Sequence, residues 1–190
     1  MDKPTAVIIG GGVIGLSTAY QLAQKHFGRI ILLDKGPVGD GSSNRAAGII
    51  TRLLWCDAAV TARVRSLELF KQLSEELEGY RFQDVGTLNM FTTASWGNTE
   101  KMLPMYDRLG VPYEILDSDE VHCRWPNLQP DRSIRSLFDP DAGYSEPHEY
   151  VPALARRVRE LGVDVRDRQQ VTGLIDRGGR AAGVQTTDGP

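Results

Sequence analysis

The sequence predicts an α/β fold, a parallel βαβ unit that is interrupted by a segment of α+β character before its sheet resumes. Three observations carry this expectation. Thr5–Ile9 (TAVII) is a short β-branched apolar run ending in three glycines. Leu16, Ala19, Tyr20 and Ala23 then recur at three- and four-residue spacing, and a second apolar run, RIILLD over 29–34, follows directly. Apolar runs bounded by glycine fit strands buried on both faces of a parallel sheet. The spacing between them fits one amphipathic helix over residues 13–26, packed on that sheet and closed at Gly28. Together they form a strand, a crossover helix and a parallel strand of right-handed connection.

Further along, residues 35–45 are rich in Gly, Ser and Asp, lack periodicity and read as a ligand-facing loop. Val60, Val64, Leu67, Leu73 and Leu77 mark a long helix over 58–78, ended by Gly79. The texture then changes. Strands are expected at Thr87–Phe91, 113–116 and 134–138, and a helix at 96–109. Asp117 followed by Glu120 has the spacing of a capping box for a short helix that Pro126 ends. Pro147 opens a helix carrying Val151, Leu154, Ala155, Val158 and Leu161, stopped by Gly162. Residues 163–165 read as the third parallel strand, and the alternation from Val171 to Thr187 around the turn at 176–179 as an antiparallel hairpin. The division expected is therefore 1–79 and 145–190 for the parallel-sheet domain, with 80–144 inserted between its second and third strands. A βαβ crossover needs only a dozen or so residues, far fewer than this span.

Composition excludes several classes. The chain has 190 residues, 41% hydrophobic and 25% charged, with 22 basic residues against 25 acidic ones for a formal charge of -3. That is a globular composition, and no Lys/Arg block is long enough to follow a phosphate backbone, so nucleic acid is not an expected partner. Cys56 and Cys123 have no spacing for a zinc site or a disulfide framework and read as ordinary buried thiols. The N-terminal apolar run is too short and Gly-rich for a signal peptide or a membrane span, which makes the cytoplasm the expected location. His26, His122 and His148 lack partner spacing for a triad or a metal, and no metal site or catalytic residue is assigned.

The chemistry concentrates at Gly10-Gly11-Gly12-Val13-Ile14-Gly15, a G-x-G-x-x-G string between a strand and a helix. Gly10 suits the tight turn, Gly12 the close approach of a pyrophosphate, and Gly15 the close packing of helix on strand. The phosphates would rest on the helix N-terminus, against the N–H groups of Val13 and Ile14. Asp34 ends the second strand about twenty positions after the last glycine, where a carboxylate accepts both hydroxyls of an adenosine ribose and repels a 2′-phosphate. The bland alternative for Asp34 is a strand-end carboxylate capping its own turn.

The string TAVIIGGGVIGLSTAYQLAQKHFGRIILLDKG resembles the extended dinucleotide motif of FAD-binding oxidoreductases, and GDGSSNRAAGII is similar to the serine loop of the D-amino-acid oxidase family. That family includes sarcosine oxidase, glycine oxidase and dimethylglycine dehydrogenase. The resemblance implies a Rossmann-like FAD-binding βαβ domain with an inserted α+β substrate-domain portion. It also places Lys35, Ser42, Ser43, Arg45, Ala47, Gly48 and Ile49 on FAD, beside the glycine motif and Asp34. The stretch GYSEPHEYVPALARRVRELGVDVRDRQQVTGL resembles the family's return to its third parallel strand, with Val171 contacting adenine through its backbone. Monomeric sarcosine oxidases carry a basic residue soon after the serine loop. Here Ala46, Ala47 and Gly48 are small, and Arg52 is the next basic residue.

By resemblance, the activity is oxidation of a C–N bond in a small amine or amino acid with FAD as the cofactor, the substrate leaving as an imine that water hydrolyses. A chain ending at the hairpin leaves a sheet edge unpaired, so incompleteness is expected, with a complementary chain or a missing C-terminal half as partner. Two alternatives remain at this point: an NAD-dependent dehydrogenase, which uses the same glycine turn and acid, and a non-catalytic dinucleotide-binding module.

Overall fold

The structure, a computed structural model, describes residues 5–189. It divides into two compact units, the first comprising residues up to Ala47, Leu77–Arg81 and those from Glu146 onward, the second Gly48–Glu76 and Phe82–Ser145.

The first unit opens with strand β1 (Thr5–Ile9), helix α1 (Val13–Gln24) and strand β2 (Arg29–Leu33), followed by a 3₁₀ turn at Ser42–Arg45. β1 pairs in parallel with β2, Ile8 opposite Leu32. α1 stops earlier than Gly28, because His26 takes the left-handed conformation (φ 51°). Its N–H then reaches the Ala23 carbonyl, and that of Phe27 the Leu22 carbonyl. This is the paired-bond ending usually built on glycine, and it gives His26 a helix-ending role.

The second unit supplies the next elements. They are strand β3 (Ile49–Ile50), helix α2 (Asp57–Glu76), strand β4 (Thr87–Phe91), helices α3 (Thr93–Glu100) and α4 (Leu103–Arg108), strand β5 (Glu114–Leu116), helix α5 (Ser118–Arg124), and strands β6 (Arg135–Asp139) and β7 (Gly143–Tyr144). β4, β6 and β5 form an antiparallel sheet with β6 central, and β3 pairs antiparallel with β7. The core joins Val60 of α2, Tyr106 of α4, Val111 and Leu137 of β6. The expected helix at 96–109 is two helices. Pro104, without an N–H, sits in the first turn of α4, where it starts a helix rather than continuing one. The capping box of α5 forms, with Glu120 N–H on Asp117 Oδ1 at 2.9 Å and Asp117 N–H on Glu120 Oε2 at 2.8 Å.

The chain returns to the first unit through helix α6 (Pro147–Glu160), strand β8 (Asp164–Arg166) and the hairpin β9 (Val171–Asp176) and β10 (Ala181–Thr186). β8 pairs in parallel with β2, Leu32 opposite Val165, so the parallel sheet has the order β1, β2, β8. The third strand thus lies beside the second, one residue later than its apolar run suggested. Val163 is buried just ahead of it. α6 buries Tyr150, Val151, Leu154, Ala155 and Val158, and the Tyr150 and Tyr80 rings stand 4.9 Å apart.

Two further sequence expectations change. Residues 48–76 group with the second unit rather than with the parallel-sheet domain, because Val60 of α2 buries against Tyr106, Val111 and Leu137. Periodicity reveals a helix's apolar stripe but not the element it covers. The two cysteines are exposed rather than buried. Cys56 lies just before α2, and Cys123 lies two positions after the buried Val121, on the opposite side of α5.

Candidate functional site

The glycine turn is held from beneath. Gly10 has φ 105°, a conformation that favours glycine, and its N–H donates to the Leu33 carbonyl at 2.8 Å, tying the end of β1 to the end of β2. A Cβ on Gly15 would overlap the Gly10 carbonyl oxygen and stand 3.3 Å from Ile8 Cγ2. Only a glycine lets the first turn of α1 rest this closely on the strand.

Asp34 follows β2 directly, and both of its carboxylate oxygens accept backbone N–H groups. Gly11 N–H reaches Oδ2 at 2.6 Å, and Gly36 N–H reaches Oδ1 at 2.9 Å. The turn-capping role therefore exists, and the same carboxylate also clasps the glycine loop. Each oxygen keeps a further lone pair for a hydroxyl donor. The backbone of this turn is fixed from the other side as well. Asp34 N–H donates to the Arg166 carbonyl at 3.0 Å, Gln169 N–H to the Asp34 carbonyl at 2.7 Å, and Arg168 N–H to the Gly36 carbonyl at 3.1 Å. Arg166, Arg168 and Gln169 act here through their main chains, a contribution no side-chain pattern reveals.

Helix α1 has Gly12 as its N-cap, with no side-chain cap on that residue. The cap comes from the serine loop. Ser43 Oγ accepts the Val13 N–H at 2.9 Å. A Cβ on Gly12 would stand 3.0 Å from this hydroxyl, so the loop and the helix terminus form a close cradle that a side chain at position 12 would fill. Leu16 N–H is the first to find a carbonyl inside the helix, that of Gly12 at 2.9 Å, which leaves the N–H groups of Ile14 and Gly15 without an intrahelical acceptor. On α6, burial pushes the Tyr150 phenol above its usual range, opposed by a hydrogen bond with Ser17.

The structure thus brings Gly10, Gly12, Val13, Gly15, Asp34 and Ser43 together. Ile14 is exposed beside them at the helix terminus, and Lys35 lies exposed on the turn after Asp34. Ser42 and Arg45 are exposed at the two ends of the 3₁₀ turn, and Ala47 is the last residue of the first unit before the chain enters the second. Gly48 and Ile49 begin the second unit, Ile49 in β3 opposite Tyr144. Val171, half-buried, opens β9 opposite Thr186. Gly11, absent from the expected set, belongs to the site through its bond to Asp34. Its place in a triple glycine was the available signal.

The cradle fits an adenine dinucleotide. It combines free N–H groups at a helix N-terminus, a turn too close for side chains, and an acid at the end of the neighbouring strand. Among the described residues no group of His, Cys, Asp and Glu is arranged to hold a metal, and no helix is long and apolar enough to cross a membrane.

Comparison with known proteins agrees with this geometry. Residues 5–190 match the family model described as DAO, FAD dependent oxidoreductase. The sarcosine oxidase subunit beta of an Arthrobacter species is 33% identical over 96% of this chain and 47% of its own length. The glycine oxidase of Pseudomonas putida is 31% identical over 96% of this chain and 51% of its own. Among solved structures, the L-proline dehydrogenase from P. horikoshii superposes with a TM-score of 0.91 at 28% identity, covering 99% of this chain and 50% of that one. The chain therefore spans about half the length of these relatives.

Proposed function

The chain belongs to the FAD dependent oxidoreductase family, and from that premise we propose that its first unit holds the adenosine and pyrophosphate of FAD in an enzyme that oxidises a C–N bond of a small amine or amino acid. The single observation that carries this reading is the clasp of Asp34 on Gly11, which sets a carboxylate at the end of β2 beside the N-terminus of α1. In this reading Asp34 accepts the ribose hydroxyls, and the N–H groups of Ile14 and Gly15, free of intrahelical acceptors, face the pyrophosphate, while that of Val13 is held by Ser43. Ser43 holds the loop against the helix end, with a hydroxyl proton available to a phosphate oxygen. Lys35, Ser42, Arg45, Ala47, Gly48 and Ile49 line the cofactor's path, and Val171 offers its backbone to adenine. When bound, FAD supplies the two-electron acceptor for a C–H bond next to nitrogen. The residues of this chain bind and orient it.

The relatives' further length corresponds to polypeptide outside these residues. We assign to it, as a continuation or a separate subunit, the groups that hold the amine and exclude water. The Arthrobacter relative is itself named as a subunit.

The test is to purify the chain, reconstitute it with FAD and measure co-eluting flavin absorbance after gel filtration. Wild-type protein is expected to retain FAD, and Gly12→Val and Asp34→Ala to lose it. Equal retention in all three, or preference for NAD, would refute the assignment. Anaerobic bleaching with sarcosine, glycine, proline or D-amino acids is expected only when the polypeptide corresponding to the relatives' other half is supplied.

A further inference from the structure

The most heavily bonded ionic cluster in the second unit has no part in the cofactor cradle. Asp139, at the end of β6, is completely buried, and its carboxylate accepts from four donors on two consecutive residues. Arg52 N–H reaches Oδ2 at 2.9 Å, Thr51 Oγ1 reaches it at 3.2 Å and Arg52 Nε at 3.4 Å, while an Arg52 terminal nitrogen pairs with Oδ1. The other terminal nitrogen of Arg52 pairs with Asp141 at 2.8 Å. Burial alone would lower the guanidinium pKa, but the hydrogen bonds and charges of Asp139 and Asp141 overcome this and raise it. Arg52, the first basic residue after the serine loop, is therefore turned inward and engaged on both sides.

The placement of this cluster gives it a further consequence. Residues 48–52 form one side of a short zipper whose other side is 139–145. Ser145 N–H donates to the Gly48 carbonyl at 2.9 Å, Ile49 stands opposite Tyr144 and Ile50 opposite Gly143, and the Arg52–Asp139 clamp closes the far end. Two paired residues are too few to hold a ribbon on their own. A buried carboxylate that binds the backbone N–H as well as the side chain of the same residue fixes where the chain runs, not only that it is neutralised.

We propose that Arg52 and Asp139 are positioning residues that set the backbone of Gly48 and Ile49 for the flavin. The proposal rests on the reading above, in which those two residues touch FAD. It separates Arg52 from any direct task on substrate: its charge is matched inside the chain, and a substrate carboxylate must find its cation elsewhere.

The test uses the 190-residue chain and FAD titrations followed by flavin fluorescence. Each variant is measured well below its own thermal midpoint, and visible circular dichroism reports on the bound flavin. Arg52→Lys keeps the charge but not the two-sided fork, and Arg52→Met removes both. Each is expected to weaken FAD by about tenfold or more and to alter the flavin band. Arg124→Met, which breaks the exposed pair with Glu114, is expected to change neither. If the Arg52 variants lower only the thermal midpoint and bind FAD with wild-type affinity and an unaltered band, the clamp is merely structural and the proposal is overturned. Asp34→Ala separates the two levels of inference. FAD binding that survives that change, or is missing in wild type, refutes the underlying cofactor reading and this proposal with it. Where Arg52→Met does not fold, amide hydrogen exchange in unliganded Arg52→Lys decides. Loss of protection concentrated at residues 48–52 and 143–145 supports the clamp, and an unchanged pattern there overturns it.

Discussion

Gly15→Ala tests the close packing of α1 on β1 more sharply than any other single change. The added Cβ would overlap the Gly10 carbonyl oxygen and lie 3.1 Å from its carbon and 3.3 Å from Ile8 Cγ2. The obstacle is main chain, and it cannot recede. Gly10 is held at φ 105° and by its 2.8 Å bond to the Leu33 carbonyl. The helix must lift instead, carrying the Val13 N–H away from Ser43. Overpacking of this kind costs about 1–3 kcal/mol, and alanine's helix propensity returns up to about 1 kcal/mol of it. A net loss of about 1 kcal/mol lowers the thermal midpoint of a chain this size by about 2–4 °C. Gly97→Ala in α3 is the matched control, since nothing beyond its own stretch of helix lies within 4 Å of its added Cβ. It is expected to gain about 0.5–1 kcal/mol from propensity alone. Melts followed by far-ultraviolet circular dichroism compare the two. A Gly15→Ala midpoint at or above wild type, or an equal loss in Gly97→Ala, would refute the argument from contact distance.

Other outcomes follow from particular bonds. Ser43→Ala leaves the Val13 N–H without its cap and should lower stability by about 1 kcal/mol in urea unfolding, with weaker retention of FAD. Asp117→Ala removes the capping box of α5 and should cost about 1 kcal/mol in the same assay without affecting FAD. Asp164 is held below the usual aspartate range by its hydrogen bonds to Arg166, which outweigh the opposing effect of burial with help from the charges of Arg166 and Arg29. A carboxylate lowered in the folded state adds stability above its unfolded pKa and loses that contribution as pH falls through the lowered value. Arg166→Ala should therefore be slightly less stable than wild type at neutral pH, and the two stability curves should converge as the pH falls below the lowered value of Asp164. The pair is solvent-exposed, so the gap at neutral pH should be small.

Much of the first unit was legible because its signals are local. β1, α1 and β2 lie within the first 33 residues, and their run lengths, periodicity and glycine punctuation agree with one another. β8 was legible as a strand for the same reason, with its boundary displaced by one residue since Val163 is apolar and buried but unpaired. The second unit was less readable. Pro104 divides a helical pattern that hydrophobic spacing alone would join, and α2 shows a buried stripe without naming the sheet beneath it. The exposure of Cys56 and Cys123 was misread from residue type, although helical spacing from Val121 places Cys123 on the outer side.

The site divides along the same line. Gly10, Gly12, Gly15 and Asp34 form a motif because a strand, a turn and a helix hold them in fixed sequence relation. Ser43 caps Val13 from 30 positions away, and only the loop's likeness to a family pointed to it. Asp139 meets Arg52 across 87 positions and leaves no periodic or local trace of the partnership. An inverse relation results: residues that would contact the cofactor's phosphates announce themselves in sequence, because a close backbone approach demands glycine. Residues that hold the loop in place are ordinary arginines and aspartates until folding joins them. Substitution at Arg52 or Asp139 would consequently look tolerable from sequence alone. The geometry gives the opposite expectation, since removing one partner strands a buried charge at a cost of about 3–5 kcal/mol, while replacing both with apolar residues of similar volume removes the charge penalty but not the lost bond to the Arg52 N–H. A melt of Asp139→Leu alone and combined with Arg52→Met measures that difference. Recovery of stability in the double variant without recovery of FAD affinity would locate the clamp's role in position rather than in charge balance, and recovery of both would remove it.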